Sequence, residues 1–263
     1  MKLPSKHQIR RRLLRAIPET RARTPQFSEW FDSPLGEKVL EAEKQLLEAY
    51  LSRIFGYHIL QLGCSETHSL IDESLAGHKI LFAPRYHPHA RQAVADNEEL
   101  PLPEDSMDAV LIHHALDSTQ DSHRLLREAI RVLRPGGRLL VLGFNPVSPW
   151  GVARWFRNRS ESPWNARFIS HRRIADWLKL LDLHVDAIHF GLHFLPFRNG
   201  YFLRNAERME AFGRRLTSPL GGAYFILGTK QVVPITPIVP RWRPLRAPAT
   251  VMPAAKNIRA KIH

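Results

Sequence analysis

The stretch from residue 95 to residue 139 decides the fold. Residues 95–114 read ADNEELPLPEDSMDAVLIHH, and residues 125–139 read LLREAIRVLRPGGRL. Met107–Ile112 is an apolar run of strand length, and the apolar residues of the second stretch recur at helical spacing. Pro135, Gly136 and Gly137 stop that helix, because proline cannot continue it and glycine tolerates the turn. The stretch therefore predicts a strand, a helix and a second strand, Leu139–Phe144.

The same alternation extends on both sides of this stretch. Ser33 and Pro34 begin a helix whose apolar periodicity lasts to Gly56, and Ser170 caps a later one. Further strands are predicted at 59–62, 80–82, 185–190 and 224–227. Strands that alternate with helices predict an α/β protein with a mainly parallel sheet covered on both faces. We interpret residues 192–221 as a helical cover inserted before the last strand.

Composition narrows the class of protein. The 263 residues contain one cysteine, Cys64, which excludes an internal disulfide and fits a reducing compartment. There is no apolar run of membrane-span length, and the charged start lacks the apolar centre of a secretory signal. We expect a cytoplasmic protein. The Arg-rich start is equally compatible with an organelle presequence.

The basic charge lies in the two end segments. Residues 1–23 hold eight Lys/Arg and one Glu, and residues 230–263 hold seven Lys/Arg and no acid, whereas the whole chain has 38 Lys/Arg and 25 Asp/Glu. We predict a basic arm (1–33), one globular domain (34–233) and a proline-rich disordered tail (234–263). Such arms can contact nucleic acid or an anionic surface, and a solvated charged tail is the commoner case.

In order, spacing and residue type, 95–103, 106–110 and 125–139 resemble the second half of the nucleotide-binding core of class I S-adenosylmethionine-dependent methyltransferases, of the methyltransferase type 11 kind. The resemblance covers Ile59 to Val233. It implies a Rossmann-like, doubly wound, mainly parallel seven-stranded sheet and S-adenosyl-L-methionine as cofactor. Open parallel sheets bind ligands at the carboxyl ends of their strands.

The resemblance also implies where the cofactor binds. The positions that match are Gln61, Gly63, Cys64, Ser65, Asp96, Asn97, Ile112 and His113, with Asp96 placed to accept a hydrogen bond from the adenine amine. The first loop departs from the family pattern, since Gln61 replaces an acid, and Ser65 and Thr67 replace glycines. The second loop has Ala83, Pro84 and Arg85 where an acid normally holds the ribose. These departures lie at positions that would hold the cofactor, and they leave the predicted strands and helices in place.

Three residues are candidates for chemistry on the acceptor: His113, His114 and Asn145. A histidine can act as a base near neutral pH or form a hydrogen-bonded pocket wall. We predict no metal site, because neighbours on a strand point to opposite faces and no third ligand is evident. Asn145 can orient an acceptor, and the aromatic residues Trp155, Phe156 and Trp164 suit a small aromatic or apolar molecule.

The leading hypothesis is a methyltransferase that uses S-adenosylmethionine and a small-molecule acceptor. One alternative is a methyltransferase-like protein that has lost cofactor chemistry and binds a partner. The other is an RNA-directed methyltransferase that uses both basic end segments.

Overall fold

The computed structural model describes residues 27–65, 67–83, 93–158, 161–197, 199–215 and 218–232. In chain order the helices are α1 (Phe27–Phe31), α2 (Pro34–Leu51), α3 (Ala115–Ser118), α4 (Ser122–Val132), α5 (Pro149–Phe156), α6 (His171–Leu180) and α7 (Gly200–Arg215). The strands are β1 (His58–Gly63), β2 (His78–Ala83), β3 (Ala93–Val94), β4 (Met107–His113), β5 (Leu133–Phe144), β6 (Leu183–Gly191) and β7 (Ala223–Lys230).

The seven strands form one sheet in the order β3-β2-β1-β4-β5-β7-β6. Neighbouring strands are parallel except at β7, which runs antiparallel to both β5 and β6. Leu62 lies beside Ile112 in the register of β1 and β4, and Phe144 at the end of β5 pairs with Ala223 at the start of β7. The prediction of a mainly parallel seven-stranded sheet is confirmed.

Each face of the sheet has its own apolar core, because successive strand residues point to opposite sides. Ile59, Leu111 and Leu140 pack on the face covered by α1 and α2. On the opposite face, Leu60 and Val110 pack against apolar residues of α4 and α6. The central strands are consequently buried on both sides, as their continuous apolar runs predict.

The start of α2 is fixed against α1. Ser33 caps α2, since its Oγ accepts from the Gly36 amide at 3.2 Å and donates to the Trp30 carbonyl at 2.6 Å. A Cβ on Gly36 would overlap the Trp30 carbonyl and lie 2.6 Å from the Phe31 Cα. Only glycine permits this approach, which presses α1 against α2 over the sheet.

Several boundaries differ from the sequence prediction. The strand predicted to begin at Leu139 begins at Leu133, with a register irregularity opposite Met107 and Ala109. The first long helix ends at Leu51 rather than near Gly56. Pattern reasoning also missed α1, α3, α5 and the two-residue β3, which are too short to show periodicity.

The connection from β1 to β2 also departs from regular alternation. Its described residues, 64–65 and 67–77, contain no helix. Strands alternating with helices would place a helix in this crossover, and it instead runs as a loop stabilised by side-chain hydrogen bonds. The loop lies at the edge where the cofactor positions cluster.

Some predictions fall on residues outside the described ranges. These are the N-terminal arm up to residue 26, the tail from residue 233, and Pro84 and Arg85 of the second loop. Within the described chain, none of the helices combines the length and apolarity that crossing a membrane requires.

Candidate active site

The carboxyl ends of β1 and β4 bring four of the predicted cofactor positions together. Gly63 pairs with His113, and the Cys64 amide donates to the His113 carbonyl at 3.2 Å. The Asn97 Nδ2 donates to the Gly63 carbonyl at 3.4 Å. Ile112, a fifth predicted cofactor position, is buried in the apolar core on the face of the sheet that α4 and α6 cover. Residues distant in sequence thus meet at the edge where this type of sheet binds ligands.

The first loop is closed by hydrogen bonds of its own. The Gln61 Nε2 donates to the His68 carbonyl at 2.9 Å, and the Gln61 Oε1 accepts from the Leu70 amide at 2.8 Å. The buried Ser65 Oγ lies 2.8 Å from the His68 Nδ1. Gln61 and Ser65 therefore stabilise the loop in this conformation, and their predicted contact with cofactor stays a prediction.

Asp96 and Asn97 follow β3, and Asn97 contacts Gly63 at this edge of the sheet. Asp96 is exposed, and its Oδ1 accepts from the Glu98 amide at 2.9 Å in a short turn. The Asn97 Oδ1 is buried without a hydrogen-bond partner among the described residues. A buried acceptor of this kind calls for a donor, such as an amine of a bound ligand.

His113 and His114 both contact one buried carboxylate, Glu43 of α2. The Glu43 Oε2 lies 2.9 Å from the His113 Nε2, and its Oε1 lies 2.7 Å from the His114 Nε2. Our premise that adjacent strand residues must point apart is wrong here, because β4 ends at His113 and His114 adopts a left-handed conformation, φ 50°. That turn brings the second imidazole back to the same side.

A further carboxylate, Asp117, completes the cluster. The His114 Nδ1 lies 2.9 Å from the Asp117 Oδ2, which also accepts from the Phe144 amide at 3.0 Å. An ionised carboxylate only accepts hydrogen bonds, so His114 carries a proton on each ring nitrogen when it donates to both Glu43 and Asp117. In this arrangement His114 cannot accept a proton from a substrate.

The pKa shifts of the four clustered side chains agree with a doubly protonated His114. Burial alone would raise the pKa of Glu43, but the adjacent His114 charge and the hydrogen bonds from both histidines lower that pKa to about 2. Burial disfavours a charged His114, yet Glu43 and Asp117 raise its pKa to about 9. Burial lowers the pKa of His113 and raises the pKa of Asp117. Because burial lowers the pKa of His113 and the two carboxylates raise that of His114, the cluster carries its positive charge on His114.

Asn145 lies at the end of β5 with its amide fully engaged. Its Nδ2 donates to the carbonyls of Pro219 and Gly221, both at 2.9 Å, and its Oδ1 accepts from the Val147 amide at 3.0 Å. The side chain therefore ties the loop after β5 to the residues before β7. It shapes the neighbouring surface rather than pointing a free amide at an acceptor.

An apolar groove lies beside that loop. Its volume is about 750 Å³, and it is lined by Pro146, Val147, Ser148, Pro149, Val152, Ala153, Phe156, Arg157, Leu195, Pro196, Phe197 and Leu220. Of the three predicted aromatics, Phe156 lines the groove, whereas Trp164 is buried and Trp155 is exposed. The predicted acceptor loop thus adjoins a cavity of ligand size.

Sequence reasoning missed Glu43. The signal was available, because Val39, Glu43 and Leu47 recur four residues apart on the buried stripe of α2. A carboxylate on an apolar stripe needs a partner, and long charged side chains are almost never fully buried without one. The two histidines that supply it are 70 residues or more away along the chain.

Comparison with known proteins identifies the family of the chain. A family described as "Methyltransferase domain" matches residues 61–141. The Escherichia coli K12 protein YafS is 32% identical over 210 residues, which cover 79% of this chain and 82% of YafS. A UbiE ubiquinone/menaquinone biosynthesis C-methyltransferase from Hahella chejuensis is 52% identical over 56 residues, 21% of this chain and 22% of UbiE.

A solved structure supports the same fold. An S-adenosylmethionine-dependent methyltransferase from Thermotoga maritima superposes with a TM-score of 0.58 at 18% identity, covering 77% of this chain and 94% of that chain. Strand order, the antiparallel β7 and the clustered edge residues define a class I methyltransferase fold. The chain belongs to the class I S-adenosylmethionine-dependent methyltransferase family. It is an enzyme of that class, and S-adenosyl-L-methionine is the cofactor of that class.

The residues present fit the adenine end of S-adenosylmethionine. Asp96 is exposed and the Asn97 Oδ1 lacks a partner within the described chain, which suits the adenine amine. At the methionine end, Gln61 and Ser65 bond within their own loop in place of the usual acid and glycine.

Proposed function

We propose that this enzyme methylates a small, uncharged apolar acceptor, which binds in the apolar groove beside β5. The groove is the single observation that carries the proposal. Its volume of about 750 Å³ lies within the range of small-molecule sites, roughly 300–1,000 Å³. Its rim includes exposed apolar side chains, among them Val147, Val152 and Phe156.

The lining supports an uncharged acceptor. Arg157 is the one charged side chain among the twelve lining residues. Its Nη2 donates to the Pro196 carbonyl at 3.2 Å, and its guanidinium lies 5.8 Å from the centre of the Trp164 ring. Because this cation already has partners within the protein, the groove offers an incoming ligand apolar contact rather than charge.

The position of the groove supports transfer from a cofactor at the neighbouring strands. The groove is formed by the loop after β5 and by Leu220 before β7, and Phe144 pairs with Ala223 at that end of the two strands. Gly63 and His113 end their strands at the same edge of the sheet. The groove therefore opens at the edge where the family resemblance implies the cofactor.

We assign the adenine end of the cofactor to Asp96 and Asn97. When bound, S-adenosylmethionine supplies a methyl group on a positively charged sulfur, which makes it electrophilic. Transfer of that methyl group depends chiefly on holding two reactants close and in line, so a general base is not required. His113 and Asn145 then serve as walls that fix the edge, consistent with their internal hydrogen bonds.

The experiment compares Val152→Glu with Leu180→Glu. Val152 lines the groove and is 59% exposed, whereas Leu180 is 81% exposed on α6, outside the groove residues, so either position can hold a glutamate. Binding of the neutral fluorescent probe N-phenyl-1-naphthylamine is measured for both variants. We expect affinity to fall about tenfold or more only in Val152→Glu, since a charge in an apolar site is costly. Equal binding by both variants would refute the groove as the acceptor site.

The short matches to UbiE proteins do not identify the acceptor, because each covers about a fifth of either chain.

The rival hypothesis is a methyltransferase-like protein that has lost cofactor chemistry, and the closed first loop is the observation that favours it. It predicts that Gln61→Asp combined with Ser65→Gly and Thr67→Gly creates S-adenosylmethionine binding in a protein that otherwise has none. A competent enzyme gains little from the same changes.

A further inference from the structure

Glu43, His113 and His114 form a buried donor cluster that methyl transfer does not use. We propose that these three side chains bind one divalent transition-metal ion, of which zinc is the best match. One ligand atom from each lies within 4.8 Å of the others. Imidazole nitrogen and carboxylate oxygen are donors that zinc prefers, and such ions are usually held by four ligands.

The three groups converge from two elements. His113 and His114 lie at the end of β4, and Glu43 reaches them from α2. The Glu43 carboxylate bridges the two imidazoles, with its Oε2 facing one Nε2 and its Oε1 facing the other. When an ion binds, the His114 Nε2 releases its proton to solvent and the proton of neutral His113 moves from Nε2 to Nδ1, so that both imidazoles are neutral and offer a nitrogen lone pair beside this carboxylate. Metal binding to histidine requires this exchange of protons for the ion.

The carboxylate of Asp117 already holds the His114 ring in place from behind. The His114 Nδ1 lies 2.9 Å from Asp117, and Asp117 accepts from the Phe144 amide at 3.0 Å. Histidines that bind metal commonly donate their other N–H to a carboxylate, which fixes the ring and strengthens the ligand. The His114–Asp117 pair has this arrangement, and it leaves the Nε2 of His114 as the metal-facing atom.

Charge supports an ion of two positive charges. Glu43, His113, His114 and Asp117 are all at most 1% exposed. Two carboxylates among these four side chains carry two negative charges, and protonating one imidazole balances only one. A divalent ion with two neutral imidazoles balances both. Buried charges are costly unless they are paired, so the ion removes an imbalance within the cluster.

An acidic cavity lies on the other side of Phe31 from the cluster. Phe31 stacks on His113, with ring centres 5.3 Å apart, and covers the cluster. Phe31 also lines a cavity of about 440 Å³ together with Asp32, Glu41 and His68. Since α1 is a single short helix, displacement of Phe31 would join this acidic cavity to the donors. An acidic cavity attracts cations before they reach the cluster.

The test measures metal binding by the full chain without a polyhistidine tag. Protein stripped with a chelator is titrated with Zn²⁺ by calorimetry, and with Co²⁺ by visible absorption. We expect one equivalent bound to wild type. Asp117→Asn should weaken Zn²⁺ binding by about 10–100-fold through loss of the carboxylate behind His114. Glu43→Gln and His113→Gln should weaken it more, because each removes a direct donor.

His78→Ala is the matched control. His78 and His58 form an exposed pair, with their Nδ1 atoms 3.0 Å apart, that could bind metal adventitiously. We expect no change in stoichiometry or affinity when His78 is replaced. Loss of binding in His78→Ala would overturn the proposal, as would wild type that takes up no stoichiometric metal.

X-ray absorption on zinc-loaded wild type keeps the test decisive where a variant fails to fold. The proposal predicts a first shell of oxygen and nitrogen donors with scattering from two imidazoles. A shell containing sulfur, or one without imidazole, would contradict it. Because every readout is metal binding, failure here leaves the proposed methyl transfer untouched.

Discussion

A substitution at Gly63 can separate an effect on cofactor binding from an effect on folding. A Cβ added there would lie 3.4 Å from the Ser65 carbonyl and 3.7 Å from the Gln61 Nε2, which are ordinary contacts. Nothing in the ligand-free protein therefore demands glycine at this position. If the cofactor passes over Gly63, the added methyl group occupies space that the cofactor needs.

We expect Gly63→Ala to change the free energy of unfolding by no more than about 0.5 kcal/mol. S-adenosylmethionine binding should weaken by about 1–3 kcal/mol, the usual effect of crowding a packed site. Chemical denaturation and calorimetry measure the two quantities on the same preparation. Unchanged affinity with intact stability would show that the cofactor does not cross Gly63.

For single residues, sequence reasoning selected side chains that the fold places at one edge more successfully than it predicted what each side chain contacts. It selected Gly63, Asn97 and His113, which the fold brings together at one edge. It did not find that the side-chain amides of Gln61 and Asn145 hydrogen-bond to neighbouring loops. Their partners are backbone atoms, whose positions only the fold determines. The acid beside the histidines, Glu43, belongs to no motif and was missed.

At the scale of elements, the contact between α1 and α2 positions the edge. Gly36→Ala would place a methyl group against the backbone of Trp30 and Phe31, which cannot move aside as a side chain can. We expect a loss of about 1–3 kcal/mol in the free energy of unfolding, because the two helices must separate.

Gly200→Ala is the control for this change. Its Cβ would meet only the flexible end of Arg204, 3.6 Å away. Thermal melts of both variants should show a lower melting temperature for Gly36→Ala alone. Equal melting temperatures would mean that α1 does not pack on α2 as described.

Strands were predicted more accurately than their connections. Apolar runs with turn residues at their ends located β1, β2, β4, β6 and β7, because a strand buried on both faces has a strong local signal. The helix stop at Pro135 was predicted, yet β5 already begins at Leu133. The loop between β1 and β2 has no periodicity, and side chains such as Gln61 stabilise it through contacts that no local pattern reveals.

At the scale of the whole molecule, charge is unevenly distributed along the chain. Residues 1–23 and 230–263 together hold 15 of the 38 Lys/Arg and one of the 25 Asp/Glu. Residues 24–229 therefore carry 23 basic and 24 acidic residues, a net charge of −1. Any association with polyanions should depend on the two end segments.

We expect deletion of residues 1–23 and 234–263 to abolish salt-sensitive binding to single-stranded RNA, because releasing counterions from phosphates requires clustered cations. Filter binding across a range of salt concentrations measures this. Binding that persists unchanged after both deletions would place the contact within the central domain and exclude the end segments.

We expect S-adenosylmethionine to bind at the edge formed by β1 and β4, where the Asn97 Oδ1 is buried without a partner among the described residues and Gln61 closes the first loop. Calorimetric titration of the full chain with S-adenosylmethionine, and then with its demethylated product, tests this claim most directly. We expect a single site that binds both compounds. Absence of heat with either compound at millimolar concentration would contradict it, and would leave the methyltransferase fold as a scaffold for another function.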